Sequence, residues 1–163
     1  FEFIEKYLNK DDILLEWGSG NSTIYYSGIV KKVISIEHDI DYYNQLKSTI
    51  DVYNIKNIEA YYIPQNSLSG KRYDMFKDYI NFPIKNSFKF TKVLIDGRGR
   101  KYCAKVLKGY MDKDTIVFIH DFNHNNVEWY EDKYYFNDIL TDYDVIDKEI
   151  DTNQGIAALK LKT

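Results

Sequence analysis

The chain has 163 residues, 44% of them hydrophobic, and a formal charge of −3 from 22 Lys and Arg against 25 Asp and Glu. That length is the size of one domain, the hydrophobic share is too high for a disordered chain, and no apolar run approaches the ~18 residues of a membrane span. A single cysteine, Cys103, excludes an internal disulfide and a cysteine zinc site and makes a reducing, cytoplasmic compartment the expectation, while the mild acidity argues against a nucleic-acid-binding surface.

Short apolar runs alternate with amphipathic stretches, and no repeat or linker interrupts them. Residues 12–17 (DILLEW) read as a buried strand. Asn21 or Ser22 can cap a helix that continues through residues 24–29. Residues 32–39 (KVISIEHD) are β-branched and read as a second strand. A helical pattern follows over 39–52, with Asp39 at its cap and Tyr42, Leu46 and Thr49 or Ile50 on one stripe. Residues 58–63 are a third strand ending at Pro64, and 73–81 form a short aromatic helix that packs on the sheet. Residues 92–96 (KVLID) are a fourth strand, 100–110 a helix around Cys103, and 115–121 (TIVFIHD) a fifth strand. A polar, aromatic stretch spans 122–138. Residues 143–150 and 155–162 close the chain as two strands around a turn at 151–154.

Strand–helix alternation builds βαβ units and a mostly parallel sheet with helices on both faces. Four residues between the last two strands allow only an antiparallel hairpin. The expected fold is therefore α/β: a doubly wound, seven-stranded sheet with a C-terminal antiparallel hairpin, in one domain over 1–163. In such sheets ligands bind beyond the carboxyl ends of the strands.

Glycine is scarce in this chain, and four of the eight fall in two of those strand-end loops, Gly18 with Gly20 and Gly97 with Gly99. The first loop, Glu16-Trp17-Gly18-Ser19-Gly20-Asn21-Ser22, lets backbone approach a ligand closely just before a helix. A dinucleotide fingerprint needs a third glycine where Thr23 stands, and Glu16 beside a pyrophosphate would be repulsive. An acid two residues before the first glycine suits a positively charged ligand instead.

Glu-x-Gly-x-Gly after the first strand, on this strand order, resembles the cofactor loop of class I S-adenosylmethionine-dependent methyltransferases. The resemblance spans nearly the whole chain. It implies S-adenosylmethionine as cofactor, with Glu16, Gly18, Ser19, Gly20 and Ser22 in the loop. Glu37 and His38 at the second strand end would face the ribose, Glu37 standing 19 residues after Gly18. Gln65, Asn66 or Ser67, after the third strand, would approach the adenine, although the acid common at that point in the family is missing.

Asp96 ends the fourth strand, and His120-Asp121 the fifth, on the same sheet edge. Methyl transfer to a hydroxyl needs an acceptor held in line and its proton removed. His120 is the natural base, with Asp121 or Asp96 to orient it or take the proton. The two aspartates can alternatively hold a divalent cation (Mg or Mn) that acidifies the hydroxyl, as the resemblance to sugar and catechol-type methyltransferases implies. Only three of the 22 basic residues are arginines, and Arg98 and Arg100 flank Gly99 beside this edge. They read as substrate contacts, as do Asn123 and His124. Asp-Gly-Arg-x-Arg and Ile-His-Asp also resemble a glycan-modifying subset of the family, which implies O-methylation of a sugar or glycan acceptor. No partner nucleic acid or membrane is expected, and the start at Phe1 instead of Met leaves fusion to other glycan-modifying domains open. The competing readings are an NAD(P)-linked oxidoreductase and a catalytically degenerate binding module on the same fold.

Overall fold

The computed structural model describes residues 1–122, 135–150 and 155–163; Asn123, His124 and the turn at 151–154 lie outside the described residues. Helices and strands alternate as α1 (Glu2–Glu5), β1 (Ile13–Trp17), α2 (Asn21–Ser27), β2 (Lys32–Glu37), α3 (Ile40–Val52), β3 (Ile58–Tyr62), α4 (Arg72–Met75), α5 (Lys77–Lys85), β4 (Lys92–Ile95), α6 (Arg100–Leu107), β5 (Ile116–His120), α7 (Tyr135–Leu140), β6 (Tyr143–Ile150) and β7 (Gly155–Leu161). The seven strands form one sheet in the order β3-β2-β1-β4-β5-β7-β6. The first five pair in parallel. β7 runs antiparallel to both β5 and β6, which completes the hairpin expected from the four-residue connection.

The strand sequences explain the layers. Parallel strands covered on both faces are apolar at nearly every position. Leu15, Trp17, Val93, Ile95, Val117 and Ile119 point to one face, against α5 and α6. Leu14, Val33, Leu94 and Phe118 point to the other, against Tyr26 of α2 and Phe3 and Ile4 of α1. Trp17, fully buried at the end of β1, donates its indole N–H to the carbonyl of Tyr79, fixing α5 to that strand at 3.0 Å. Among the described residues no helix is long and apolar enough to cross a membrane.

The sequence reading differs from the structure in four places. The helix expected at 73–81 is two helices, with Phe76 between them and Pro83 inside the second. α1 has too short a pattern to signal itself, yet buries Phe3 and Ile4. The cap of α2 is Gly20, whose N–H donates to Thr23 Oγ1 at 3.0 Å, and not Asn21 or Ser22. Tyr42 leaves the apolar stripe of α3 and is 58% exposed, while Leu46 and Ile50 are buried. Asp39 caps α3 as expected, accepting from the N–H groups of Asp41 and Tyr42.

The two glycine loops are in contact. Gly18 has φ +94°, and a Cβ there would lie 2.7 Å from the nitrogen and 2.8 Å from the Cα of Gly97. Neither backbone has anywhere to move, since Gly18 N–H bonds Ile36 O and Asp96 N–H bonds Trp17 O. Gly18→Ala should therefore destabilise the fold by about 2–4 kcal/mol, combining left-handed strain with overpacking. Urea unfolding measures this, and a variant as stable as the parent would show that the two loops separate freely.

Candidate functional site

The carboxyl ends of β1, β2, β4 and β5 meet at one edge and border a cavity of ≈ 510 Å3. Of the residues singled out in the sequence, Gly18, Ser19, Gly20, Ser22, Glu37 and His38 line it on one side. Asp96, Arg98, Arg100 and His120 line it on the other. Tyr42 also lines it, although its sequence pattern marks it as core. A tyrosine on a helical stripe carries no signal that separates the two roles.

Glu37 is 3% exposed and accepts three backbone N–H groups: Ser19 at 2.7 Å and His38 and Asp39 at 2.8 Å each. Burial works to raise its pKa, but the His38 imidazole beside it and the backbone bonds from Asp39 and Ser19 outweigh it and hold the carboxyl below its ordinary value. It is therefore an ionised carboxylate at the cavity wall, and it fixes the first glycine loop through Ser19. Nδ1 of His38 lies 3.0 Å from Glu37 Oε1 without the alignment of a hydrogen bond.

Glu16 does different work. It is fully buried and does not line the cavity. Its carboxyl accepts from Ser22 Oγ at 2.6 Å, Thr23 Oγ1 at 2.5 Å and Ser35 Oγ at 2.9 Å. Ser35 is its register partner on β2. Glu16 thus joins β1, β2 and the first turn of α2. Asn66 lies away from the cavity too. Its side chain donates to Asp78 Oδ2 at 2.7 Å and accepts the Asp78 N–H at 3.0 Å, bracing the start of α5.

The fourth and fifth strand ends form an ion cluster. His120 Nδ1 lies 3.3 Å from Asp121 Oδ1 and 3.5 Å from Asp96 Oδ1. Arg100 crosses behind them, with Nη1 2.8 Å from Asp121 Oδ2 and Nη2 3.6 Å from Asp96 Oδ1. The same guanidinium donates to the carbonyls of Gly97, Asp96 and His120. Arg100 is thus committed to tying the β4 and β5 loops together, whereas Arg98 is exposed at the cavity rim. His120 and Arg100 hold the Asp121 carboxyl down to about 2, against its burial. The adjacent Asp121 raises the imidazole of His120, ahead of the opposing effect of burial. Asp96 is raised, chiefly by burial. Asp121 also has φ +56°, the left-handed region that aspartate tolerates better than most residues.

Asp96, His120 and Asp121 each offer one ligand atom within 4.8 Å of the others, and their oxygen and nitrogen donors suit a divalent cation such as Mg or Mn. The site also fits a larger cofactor. Nothing lies within 4 Å of where a Cβ on Gly20 would project, although its φ of −178° is open to any residue. The fold leaves that space clear without needing glycine there. Among the described residues, three buried side-chain polar atoms lack a hydrogen-bond partner: His38 Nδ1, Tyr79 Oη and His120 Nδ1. Two belong to residues lining the cavity, and Tyr79 Oη sits beneath Gly97.

No family model and no curated protein matches the sequence. The fold is similar to SMU.1697c of Streptococcus mutans, solved in complex with SAH, at 12% identity and a TM-score of 0.67 over 99% of this chain and 94% of that one. It is similar to a methyltransferase-like protein from Silicibacter pomeroyi at 16% identity and a TM-score of 0.69, covering 99% and 84%. A variant of MtNAS solved with S-adenosylmethionine is 10% identical with a TM-score of 0.68, and this chain spans 59% of it. At such identities the likeness establishes a methyltransferase-like fold.

The burial of Glu16 has a measurable effect. Its pKa in the folded chain is pushed up to about 7, first by burial, from an ordinary 4.5. The folded chain therefore binds this proton more tightly than the unfolded chain. The resulting stability is complete below the ordinary value and is lost as pH rises through 7. Urea unfolding at about pH 5 and about pH 8 should show a loss on the order of 2–3 kcal/mol from this group. The loss should disappear in Glu16→Gln, and an unchanged pH dependence in that variant would remove Glu16 as its source.

Proposed function

We propose that the protein is an S-adenosylmethionine-dependent O-methyltransferase whose acceptor is a hydroxyl of a sugar or glycan. The observation that carries this reading is the juxtaposition at one cavity of the ionised Glu37, the open space above Gly20 and the Asp96–His120–Asp121 cluster. The similar folds solved with S-adenosylmethionine and SAH support the choice of cofactor. When bound, that cofactor supplies a methyl group on a positively charged sulfur, which an acceptor oxygen can displace.

The residues of this chain have separable tasks. Glu37 accepts the ribose hydroxyls with the lone pairs that its three backbone donors leave free. Ser19, Gly20, Ser22 and His38 line the remainder of the cofactor's bed, and Glu16 holds that bed in place through α2. His120 takes the proton of the acceptor hydroxyl, because its imidazole lines the cavity with Asp121 beside its Nδ1 to hold it. Asp121 orients it and stabilises the imidazolium that forms. Arg100 keeps the two aspartates from repelling each other and fixes the loops that carry them. Arg98, exposed at the rim, meets the acceptor. The geometry of the ligand atoms favours a second reading as well: Asp96, His120 and Asp121 hold a divalent cation that acidifies the acceptor hydroxyl.

Two sets of variants test the proposal. Glu37→Ala and Gly20→Val should each weaken binding of S-adenosylhomocysteine at least tenfold by calorimetry, the first by removing a charged acceptor worth ~1.5–3 kcal/mol. Unchanged affinity in both would count against the site. His120→Ala should keep that affinity and lose turnover at least a hundredfold. Turnover that persists in His120→Ala, yet stops with a chelator, would transfer the role to a metal.

A further inference from the structure

A second cavity, of ≈ 670 Å3, lies on the α1–α2 face of the sheet edge. It falls in the ~300–1,000 Å3 range of small-molecule sites. Asp96, His120, Ser22 and Phe1 line both this cavity and the one described above, so the two spaces meet at the proposed base. The walls of the second differ in chemistry. Aromatic rings supply one side: Tyr25, 41% exposed, is stacked on Phe1 with ring centroids 4.8 Å apart, and Tyr26 stands edge-on to both. Carboxylates of Glu2 and Glu149 line it together with Asp96. Among the described residues, no lysine or arginine lines it, while Arg98 and Arg100 both line the neighbouring cavity.

From this division of charge we infer that the second cavity is the acceptor subsite, and that it takes a hydroxyl-rich ring without negative charge, a neutral sugar or an aminosugar. This rests on the methyltransferase reading and narrows its acceptor. A uronate or phosphosugar would bring a negative charge among three carboxylates in a partly desolvated space. An aminosugar would bring a positive charge to the same three carboxylates, which favour it. A neutral ring or an aminosugar meets no such cost. Its apolar face lies on the exposed aromatic surface of Tyr25, and its hydroxyls donate to Glu2 and Glu149, which can only accept when ionised. The hydroxyl nearest the junction then faces His120.

The experiment uses the whole chain loaded with S-adenosylhomocysteine. Saturation-transfer NMR compares methyl glycosides of neutral hexoses and pentoses with the matching uronates, hexose phosphates and aminosugars. SAH release from S-adenosylmethionine is measured with the same compounds. At least one neutral glycoside or aminosugar glycoside should bind and turn over at least fivefold better than the matching uronate and phosphate. Tyr25→Ala should weaken that glycoside at least fivefold while leaving the affinity for S-adenosylhomocysteine in place. Glu149→Lys should move preference toward the uronate at least fivefold. A wild-type preference for the uronate or phosphate, or unchanged selectivity in both variants, would overturn the acceptor assignment alone. Absence of S-adenosylhomocysteine binding to the parent would defeat the methyltransferase reading and this assignment with it.

Discussion

The site depends on the approach of two backbones. Gly18 and Gly97 close the carboxyl ends of the neighbouring strands β1 and β4 with only a hydrogen atom where a side chain would stand. Any Cβ at Gly18 would push the β4 loop away and carry Asp96 with it. Below the contact, Trp17 and Tyr79 fill the same corner, with the indole bonded to the Tyr79 carbonyl. The cavity wall thus rests on fully buried aromatic residues. A site built this way is positioned by packing, which is stiff, and less by loop hydrogen bonds, which are not.

Electrostatics then adds a second requirement. Asp96 and Asp121 stand at adjacent strand ends, and two carboxylates that close destabilise each other. Arg100 answers this from the first turn of α6, at 9% side-chain exposure, with ion pairs to both and bonds to three loop carbonyls. Gly99, in the left-handed region at φ +62°, caps that helix and aims it into place. A planar guanidinium with five donors satisfies this geometry and a lysine ammonium does not. That accounts for arginine at this position in a chain that mostly uses lysine, through its partners inside the protein.

Much of this was legible in the sequence. Apolar runs gave the strands, because parallel strands covered on both faces must be apolar throughout. The four-residue turn gave the hairpin. The scarce glycines located the edge correctly, although the physical reason for Gly97 is its contact with Gly18, which no local pattern announces. Other features were hidden because they depend on tertiary neighbours. α1 is too short for periodicity, Tyr42 shares its stripe with true core residues, and Phe76 with Pro83 splits a helix that propensity would run together. Side-chain commitment is the least legible of all: Arg100, Asn66 and Glu16 read as ligand contacts, and each is occupied by other residues of the chain.

Glu16 and Glu37 show why residue type and position fall short of role. They end neighbouring strands of the same sheet, but the pleat and the covering helices treat them differently. Glu16 is the penultimate residue of β1, and alternation turns it onto the face that α2 covers, so three hydroxyls must replace its water. Those hydroxyls soften the cost of burial without cancelling it, and the proton is held more tightly. Glu37 is the last residue of β2, where the backbone turns into the cap of α3 and presents N–H groups instead. Backbone donors held by the chain are already oriented and cannot rotate away, so they stabilise the charge that burial alone would suppress. One carboxyl is thereby kept as a structural joint and the other as a standing negative charge at a cavity wall. The same acid near the ends of neighbouring strands becomes a buried joint or a charged wall according to which donors the fold supplies.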